Sequence, residues 1–318
     1  MSDLLDFLGT AEQAAATASE VIRTGLGRER SISGKGDRDY ATDLDYAVED
    51  AVREFLAAET PDIPLLGEER GRTGNTESHY EWVLDPIDGT VNFAHGSPLY
   101  AVSLALTRNG ISVVGVVDAP VSEERFTAAL GHGAALNKHP LTVRGPSELS
   151  DAVVAFGDFG VTAESVRRNA QRLELLRRLV PKIQRVRMLG TAALDMCWTA
   201  AGRVDATYHS FINPWDVAAG VVIAREAGAL VTDLDGVDYD TSATSILACN
   251  PELHRALLAE IALCTSSRRA GPRRYTPCPT IGSCAAAHGT SNLKPASWPT
   301  SVSRDIPSPR SSGSTAPT

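Results

Sequence analysis

The amino-acid sequence predicts an α/β fold in which helices are layered with mixed β-sheets. Three observations support this prediction. Amphipathic helical patterns occur at both ends of the folded part, short apolar runs fill the middle of its first half, and helical and strand patterns alternate in its second half. A chain of 318 residues, of which 43% are hydrophobic, can bury one large core or two modest ones.

Apolar residues recurring near a 3.6-residue period predict six helices. They span residues 3–26, 43–59, 163–180, 191–201, 214–227 and 251–263. Thr42 is expected to cap the second helix, and Asn250 followed by Pro251 is expected to begin the last. In the second helix, Asp45 and Glu49 lie on a different face from the apolar side chains.

Short apolar runs predict the strands. They span residues 63–66, 80–84, 100–107, 112–118, 124–129, 152–156, 204–208, 230–232 and 245–248. Asn109-Gly110 joins the third run to the fourth, and this dipeptide is the strongest short-range signal for a β-hairpin. The strands before residue 130 are therefore expected to form largely antiparallel sheet.

The composition changes sharply after Leu263. Residues 1–263 are predicted to form a catalytic domain with halves at about 1–150 and 151–263. Residues 264–318 are rich in Ser, Pro, Thr, Gly and Arg and have no apolar period, so we expect a disordered tail. A shifted reading frame or a cloning artefact is an alternative origin for this tail.

Charge and composition limit the function. Of 30 basic and 39 acidic residues, seven basic and one acidic lie beyond Leu263, so residues 1–263 carry 23 basic against 38 acidic side chains. This acidic body disfavours nucleic acid as a partner and favours hard divalent cations. No apolar run approaches the roughly 18 residues of a membrane span, and the N-terminus lacks the basic start of a signal peptide, so we expect no membrane association and a cytoplasmic protein. The five cysteines show no zinc-ligand spacing and are expected to be reduced.

The first of three acidic clusters follows an apolar run. In Gly67-Glu68-Glu69-Arg70-Gly71, two carboxylates occupy a turn bounded by glycines, where oxygen atoms can converge on a cation. A solvated polar turn after a strand is the commoner explanation of such a sequence. Alone, this cluster decides little.

The second cluster is more specific and reads Asp85-Pro86-Ile87-Asp88-Gly89-Thr90. Pro86 lacks an amide hydrogen, so it is expected to stop the strand and let Asp85 and Asp88 flank a tight turn. The Ile87 carbonyl is expected to face the same place. A helix beginning at Gly89-Thr90 offers free amides to an anion. Metal ions beside a phosphate cradle are what phosphoryl hydrolysis requires, although turn chemistry alone also explains these residue types.

The third cluster, Asn213-Pro214-Trp215-Asp216, opens a predicted helix. A carboxylate in the first helical turn is favourable with the helix dipole whatever its function. Asp216 is therefore a candidate metal ligand and equally a candidate helix cap.

Taken together, these clusters resemble the signature motifs of the inositol monophosphatase family, in the family's order and at its approximate spacing. The resemblance covers about residues 1–262. It is carried by Gly67-Glu68-Glu69, by residues 85–93 and by residues 215–220, with Thr42, Asp45-x-x-x-Glu49, residues 190–193 and Glu226-Ala227-Gly228 also matching. It implies a layered α/β sandwich, a homodimer and a Mg²⁺-dependent, lithium-sensitive phosphatase.

The resemblance also implies a metal site with two or three Mg²⁺ ions. Glu68, Asp85 and the Ile87 carbonyl match the ligands of one ion. Asp85, Asp88 and Asp216 match the ligands of a second, and Glu68 matches the position of a third, weaker ion.

The resemblance assigns the remaining chemistry as well. Asp45 and Thr90 match the pair that positions and activates the attacking water, and with Glu68 they form the predicted catalytic set. The amides of Gly89 and Thr90 match the phosphate cradle. No Ser or Cys nucleophile with a neighbouring His base forms a signature motif, so no covalent phosphoenzyme is expected.

The substrate is less defined. The residues that match the alcohol-contacting part of the family are Gly190, Thr191, Ala192, Asp205 and Asp216. Inositol phosphatases commonly have a glutamate seven residues before the second of these aspartates, and His209 stands there in this chain. A polyol phosphate such as inositol 1-phosphate is expected.

Several alternatives to that substrate stay open. Histidinol phosphate, fructose 1,6-bisphosphate, an aminocyclitol phosphate or a nucleoside 3′,5′-bisphosphate requires the same metal chemistry. A charged His209 favours a second anionic group over an amine. A metal-binding protein without catalytic activity is the alternative outside enzymes.

Overall fold

The computed structural model describes residues 4–25, 32–36, 39–75, 77–162 and 165–266, with backbone only at 32–36, 39–41, 265 and 266. Its helices are α1 (Leu4–Gly25), α2 (Asp43–Glu59), α3 (Thr90–Ala94), α4 (Ser165–Leu179), α5 (Ala192–Ala200), α6 (Pro214–Glu226) and α7 (Pro251–Ser266). Its strands are β1 (Ile32–Gly36), β2 (Asp39–Thr42), β3 (Leu65–Gly67), β4 (Gly71–Thr73), β5 (Tyr80–Asp88), β6 (Ala101–Arg108), β7 (Ile111–Ala119), β8 (Glu124–Ala129), β9 (Ala134–Leu136), β10 (His139–Leu141), β11 (Val153–Phe156), β12 (Arg185–Arg187), β13 (Ala206–His209), β14 (Leu230–Thr232) and β15 (Ile246–Cys249).

All six predicted helices are confirmed, with ends that differ by at most about three residues, the ordinary uncertainty of helix boundaries. Thr42 caps α2, because its Oγ1 accepts a hydrogen bond from the Leu44 amide at 3.2 Å. The last helix continues through residues 264–266, beyond the predicted domain boundary. The rest of the predicted tail, residues 267–318, lies outside the described residues. Within the part of the chain described here, no helix is long and apolar enough to cross a membrane.

The described strands form two large sheets and one two-stranded hairpin. The eight-stranded sheet has the order β10-β9-β8-β7-β6-β5-β3-β4, and only the β3–β5 pair is parallel. The five-stranded sheet has the order β12-β11-β13-β15-β14, in which the first three strands are parallel. The first sheet lies within residues 65–141 and the second within residues 153–249.

The turn at Asn109-Gly110 is confirmed as a hairpin between β6 and β7. Both residues have positive φ, 51° and 80°, which suits the right-handed twist of the two strands.

The prediction that Pro86 ends its strand is wrong. β5 continues to Asp88, and its pairing with β6 shifts between Asp85, opposite Ser103, and Asp88, opposite Ala101. Three residues of β5 thus advance against two of β6, which is a β-bulge. A bulge leaves an amide unpaired, and for that reason a strand tolerates proline there.

Three apolar clusters hold the layers together. The first packs α1 and α2 against one face of the eight-stranded sheet, with Ala15, Val52 and Trp82 among its members. The second packs α5 and α6 between the two sheets. The third packs α4 and α7 on the outer face of the five-stranded sheet, around Phe156 and Tyr208. The predicted layered α/β sandwich is confirmed as five alternating layers of helix and sheet.

Candidate active site

Asp88 connects the end of β5 to the beginning of α5. Its Oδ2 accepts hydrogen bonds from the Thr191 hydroxyl and, at 2.8 Å, from the Ala193 amide, and its Oδ1 accepts one from the Ala192 amide at 3.3 Å. The first amides of a helix have no acceptor within the helix, so this buried carboxylate caps α5 from a distant part of the sequence. The predicted metal ligand and the predicted alcohol-binding segment are therefore in contact.

The bulge in β5 fixes Asp85. Its Oδ1 accepts a hydrogen bond from the Ile87 amide at 3.0 Å, and the side chain is buried. Ser103, opposite Asp85 on β6, donates its hydroxyl to the Trp215 carbonyl at 3.2 Å. This bond ties the start of α6, and with it Asp216, to the strand beside Asp85.

Asp216 lies in the first turn of α6 and closes a capping box. Its Oδ2 accepts a hydrogen bond from the Asn213 amide at 2.6 Å. The capping role that the sequence left open is therefore real. One carboxylate oxygen of Asp216 therefore accepts a hydrogen bond from a backbone amide, just as one carboxylate oxygen of Asp85 accepts a hydrogen bond from the Ile87 amide.

Glu68 begins the turn that joins β3 to β4. Its amide donates a hydrogen bond to the Leu84 carbonyl at 3.2 Å. Gly67 pairs with Leu84, so Glu68 lies next to Asp85 of the neighbouring strand β5. All three acidic clusters of the sequence thus meet where β3 and β5 end.

The electrostatics of these carboxylates reflect their proximity. Burial raises the pKa of Asp85 well above its usual value, and repulsion from Glu68, Asp88 and Asp216 raises it further. Burial likewise raises the pKa of Asp216, with repulsion from Asp88 and Glu68 added. Like charges gathered in a poorly solvated place favour either protonation or a cation.

For Asp88, burial raises the pKa to about 6, although its hydrogen bonds from the start of α5 act in the opposite direction. This carboxylate therefore holds a proton more tightly than a solvated aspartate does.

Asp45 and Thr90 lie next to this group. The Thr90 hydroxyl is 3.3 Å from Asp45 Oδ1 and 3.1 Å from the Ile87 carbonyl oxygen. Asp45 is completely buried, and its Oδ2 accepts hydrogen bonds from the Thr42 amide and hydroxyl at 2.8 and 2.5 Å. The structure therefore brings together the predicted water-activating pair.

Gly89 caps the short helix α3 in a left-handed conformation, with φ of 93°. A Cβ at this position would lie 2.9 Å from the Leu99 carbonyl oxygen and 3.2 Å from that of Gly190. Both the backbone conformation and the space therefore require glycine, and the amides of Gly89 and Thr90 stand at the beginning of α3 as predicted.

His209 lies at the end of β13 and faces α5. Its Nε2 is 3.2 Å from Oδ2 of Asp195, and both side chains are buried. Burial raises the pKa of Asp195, whereas the contact with His209 lowers it. Neither carboxylate oxygen of Asp195 has a well-aligned hydrogen bond to another described residue.

The structure does not bring Asp205 together with the other predicted residues. Its Oδ2 accepts a hydrogen bond from the Val153 amide at 2.7 Å, and its Oδ1 lies 2.7 Å from where a Cβ of Gly145 would be. Asp205 precedes β13 and His209 ends it, so about 13 Å of strand separates them.

Sequence reasoning gave no role to two acids that are buried near this site, Asp195 and Glu49, although Glu49 was among the residues that match the family pattern. Asp195, in an otherwise apolar helix, had a recognisable signal, because a charged residue is rarely fully buried without a partner. Glu49 was assigned to a polar face of α2, yet it is completely buried. Two of its partners, the Glu69 and Arg70 amides, lie twenty or more residues further along the chain, where helical periodicity gives no information.

The carboxylates do not form a closed ion cage. Among the side chains that the structure describes, no three Asp, Glu, His or Cys are arranged to hold a metal ion as they stand. The donor set nonetheless fits a hard divalent cation, because it consists of carboxylate and carbonyl oxygens whose mutual repulsion a cation would relieve.

Comparison with known proteins agrees with this geometry. The sequence profile of the inositol monophosphatase family matches residues 3–266. Inositol monophosphatase 1 of Solanum lycopersicum is 38% identical over 266 residues, which cover 82% of this chain and 96% of that protein. Inositol-1-monophosphatase of Mesorhizobium japonicum is 37% identical and covers 80% of this chain and 96% of that protein.

A solved structure shares the fold. The extragenic suppressor protein SuhB from Bartonella henselae superimposes with a TM-score of 0.75 at 33% sequence identity, covering 80% of this chain and 98% of that one.

Proposed function

Because this chain belongs to the inositol monophosphatase family and is a phosphoric monoester hydrolase, we propose that it is a Mg²⁺-dependent phosphatase of a small polyol phosphate such as inositol 1-phosphate. The observation that carries the proposal is the convergence of Glu68, Asp85, Asp88 and Asp216 at the ends of β3 and β5, beside the start of α3.

The metal would be held by oxygen ligands alone. Glu68, Asp85 and the Ile87 carbonyl would hold one Mg²⁺. Asp85, Asp88 and Asp216 would hold a second, and Glu68 would also be available to a third ion. When bound, Mg²⁺ supplies a more acidic water and neutralises charge on the phosphoryl oxygens. Inhibition by Li⁺ is part of the same proposal and follows from the family resemblance.

The chain's own groups position the reaction. The Thr90 hydroxyl, within 3.3 Å of Asp45 Oδ1, orients the attacking water, and the Asp45 carboxylate accepts its proton. The amides of Gly89 and Thr90 hold the phosphoryl oxygens at the positive end of α3. A homodimer and a cytoplasmic location, both expected from the sequence, remain parts of this proposal.

The pairing of His209 with Asp195 supports a polyol over a bisphosphate. A protonated His209 is balanced by a carboxylate 3.2 Å away, so the pair offers no net positive charge to a second anionic group. The carboxylate oxygens of Asp195 are buried without other well-aligned partners among the described residues, so His209 is the group that faces this carboxylate. Gly190, Thr191 and Ala192 lie at the start of α5, where Asp88 contacts Thr191 and Ala192. Asp205 lies apart from them and contacts the Val153 amide, so it is the least supported of the predicted substrate-binding residues.

A phosphate-release screen tests the proposal. The full-length protein is assayed with and without Mg²⁺ on inositol 1-phosphate, histidinol phosphate, fructose 1,6-bisphosphate and adenosine 3′,5′-bisphosphate. We expect Mg²⁺-dependent release, fastest from inositol 1-phosphate, and its loss in Asp88→Asn. Asp62→Asn, an exposed aspartate in the turn after α2, is the matched control and should retain full activity.

Other outcomes of the screen are equally informative. Preference for a bisphosphate would contradict the proposed polyol substrate but would be consistent with the proposed metal-dependent hydrolysis. Release that persists after removal of Mg²⁺, or in Asp88→Asn, would contradict the metal-dependent mechanism. Mg²⁺ binding with no release from any ester would favour a metal-binding protein without catalytic activity.

A further inference from the structure

Glu49 is a buried carboxylate that the chemistry above leaves unused. It lies on α2, one helical turn after Asp45, and its side chain is completely inaccessible to solvent. Its Oε1 accepts hydrogen bonds from Arg53 Nε at 2.9 Å, from Arg53 Nη2 at 2.6 Å and from the Arg70 amide at 2.9 Å. Its Oε2 accepts one from the Glu69 amide at 2.8 Å. A charge this deeply buried requires such partners.

Two of these donors belong to the turn that carries Glu68. β3 and β4 pair up to Gly67 opposite Gly71, so residues 68–70 form the tip of this hairpin. The carboxylate of Glu49 accepts a hydrogen bond from each of two amides at this tip, those of Glu69 and Arg70. The conformation of the tip is therefore set by a residue of α2.

The fit between Glu49 and the hairpin is close. A Cβ added to Gly67 would lie 2.3 Å from Glu49 Oε1 and 2.5 Å from its carboxyl carbon. The φ of Gly67 is not among the positive values, so the glycine is required here for space and not for backbone conformation. Gly67, which the family resemblance singles out, thus makes room for Glu49.

Arg53 extends this contact to the other strand of the hairpin. Its Nη2 donates to the Gly71 carbonyl and its Nη1 to the Thr73 hydroxyl, both at 2.5 Å. Arg53 also neutralises Glu49, so the added carboxylate does not increase the negative charge around Glu68 and Asp85. Helix α2 is in this way fastened to both arms of the turn.

We propose that Glu49 is a positioning residue for the metal site, which sets Glu68 against Asp85 by shaping the tip of the β3–β4 hairpin. This inference rests on the proposed function. It gives α2 two tasks one turn apart: Asp45 holds Thr90, and Glu49 holds the turn that presents a metal ligand. Residues that orient metal ligands typically change metal affinity by about 10- to 100-fold when they are replaced.

Glu49→Gln is the informative substitution. The side chain keeps its shape, but an amide has one acceptor oxygen, whereas all four groups that meet Glu49 are donors. The NH₂ group of the glutamine must therefore face one of these donors. Because two donors repel each other, we expect the tip of the β3–β4 hairpin to shift. We expect Mg²⁺ affinity, measured by calorimetric titration of the full-length protein with MgCl₂, to weaken by about 10- to 100-fold.

The neighbouring Asp50 offers a matched control. It lies on the same helix and contacts Arg70 too, but through an exposed ion pair with the Arg70 side chain at 2.8 Å. Asp50→Asn removes the same charge from the adjacent position of the same helix. Mg²⁺ affinity should change by less than about twofold, because exposed pairs contribute little.

Gly67→Ala provides a second variant in which Glu49 is intact. Its methyl group meets the Glu49 carboxylate, so Mg²⁺ affinity should fall as in Glu49→Gln. In a Glu49→Ala background the space is free, and adding Gly67→Ala should weaken binding by no more than about twofold further. This non-additivity identifies the contact and separates it from a general loss of stability.

The outcomes are distinct. At saturating Mg²⁺, turnover of Glu49→Gln should return to within about threefold of wild type, since only positioning of the ligand has been impaired. Unchanged Mg²⁺ affinity in both Glu49→Gln and Gly67→Ala, with the wild type binding Mg²⁺ and releasing phosphate, would overturn this inference alone. Failure of the wild type to bind Mg²⁺ would overturn the proposed function together with it.

Discussion

Two sides of the site differ in how their charges are balanced. The acidic side consists of Glu68, Asp85, Asp88 and Asp216, whose negative charges repel one another. The paired side consists of Asp195 and His209, which face each other at 3.2 Å. The acidic side is therefore relieved by protonation or by cations from outside the chain, whereas on the paired side a histidine of the chain itself faces the carboxylate. Under the proposed function, metal chemistry and alcohol recognition can accordingly change independently.

The largest effect is expected on the acidic side. Asp216→Asn should lower turnover by about 100- to 1,000-fold, as loss of one preorganised electrostatic group commonly does. The unfolding free energy of the metal-free protein should fall by less than about 1 kcal/mol, because asparagine still accepts the capping hydrogen bond. Steady-state kinetics and urea denaturation check both statements. A stability loss with retained turnover would show that Asp216 is only a helix cap.

Stability of the metal-free protein should depend on pH through the acidic side. In the folded state the pKa of Asp88 is raised to about 6 from its ordinary 3.8, so the folded protein binds the proton more tightly. Its contribution to the unfolding free energy is therefore fully present below pH 3.8 and is lost as pH rises through 6.

The loss from Asp88 is on the order of 3 kcal/mol. Urea denaturation of metal-free wild type and of Asp88→Asn, at pH values from about 4.5 to about 7.5, checks this expectation. The variant should lose less stability over that range than the wild type does. Mg²⁺ should stabilise the wild type most at the upper end, since its ligands must be deprotonated. Equal pH dependence in both proteins would contradict the burial of a charged Asp88.

A smaller, selective effect is expected on the paired side. His209→Ala should raise KM for the preferred ester by about tenfold while kcat changes by less than about threefold, because an interaction with the unreactive part of the substrate is lost. Steady-state kinetics on two esters that differ in their alcohol measure this. A fall in kcat as large as that of Asp216→Asn would end the distinction between the two sides.

The smallest effect on activity is expected at Asp205. Asp205→Ala leaves the buried Val153 amide without its acceptor, so the unfolding free energy should fall by about 1–3 kcal/mol. Turnover and KM of the folded protein should stay within about twofold of wild type. A clear rise in KM would return Asp205 to the substrate-binding set.

The acidic side was the more predictable of the two because its signals are local. Asp85, Pro86 and Asp88 lie within one short sequence motif at the end of β5, and Asp216 lies in the first turn of a helix, so short motifs indicate each carboxylate. The bulge at Pro86 was not foreseen, because strand pairing across β6 decides whether proline ends a strand or occupies an irregular position.

The contacts between distant segments could not be predicted. Asp195 meets His209 across two layers of the sandwich, and Glu49 meets a hairpin tip about twenty residues away. Helical periodicity marks Glu49 as polar and therefore outward, although α2 is covered on that face as well. In both cases burial of a charge depends on tertiary partners, which no local pattern encodes.

Anomalous diffraction from crystals of the full-length protein soaked in Mn²⁺ tests the central claim most directly. The account predicts at least two peaks at the acidic side, one between Glu68 and Asp85 and one between Asp88 and Asp216, with carboxylate oxygens at the distances of direct metal ligation. Peaks confined to other surfaces, with these four side chains unbound, would contradict it.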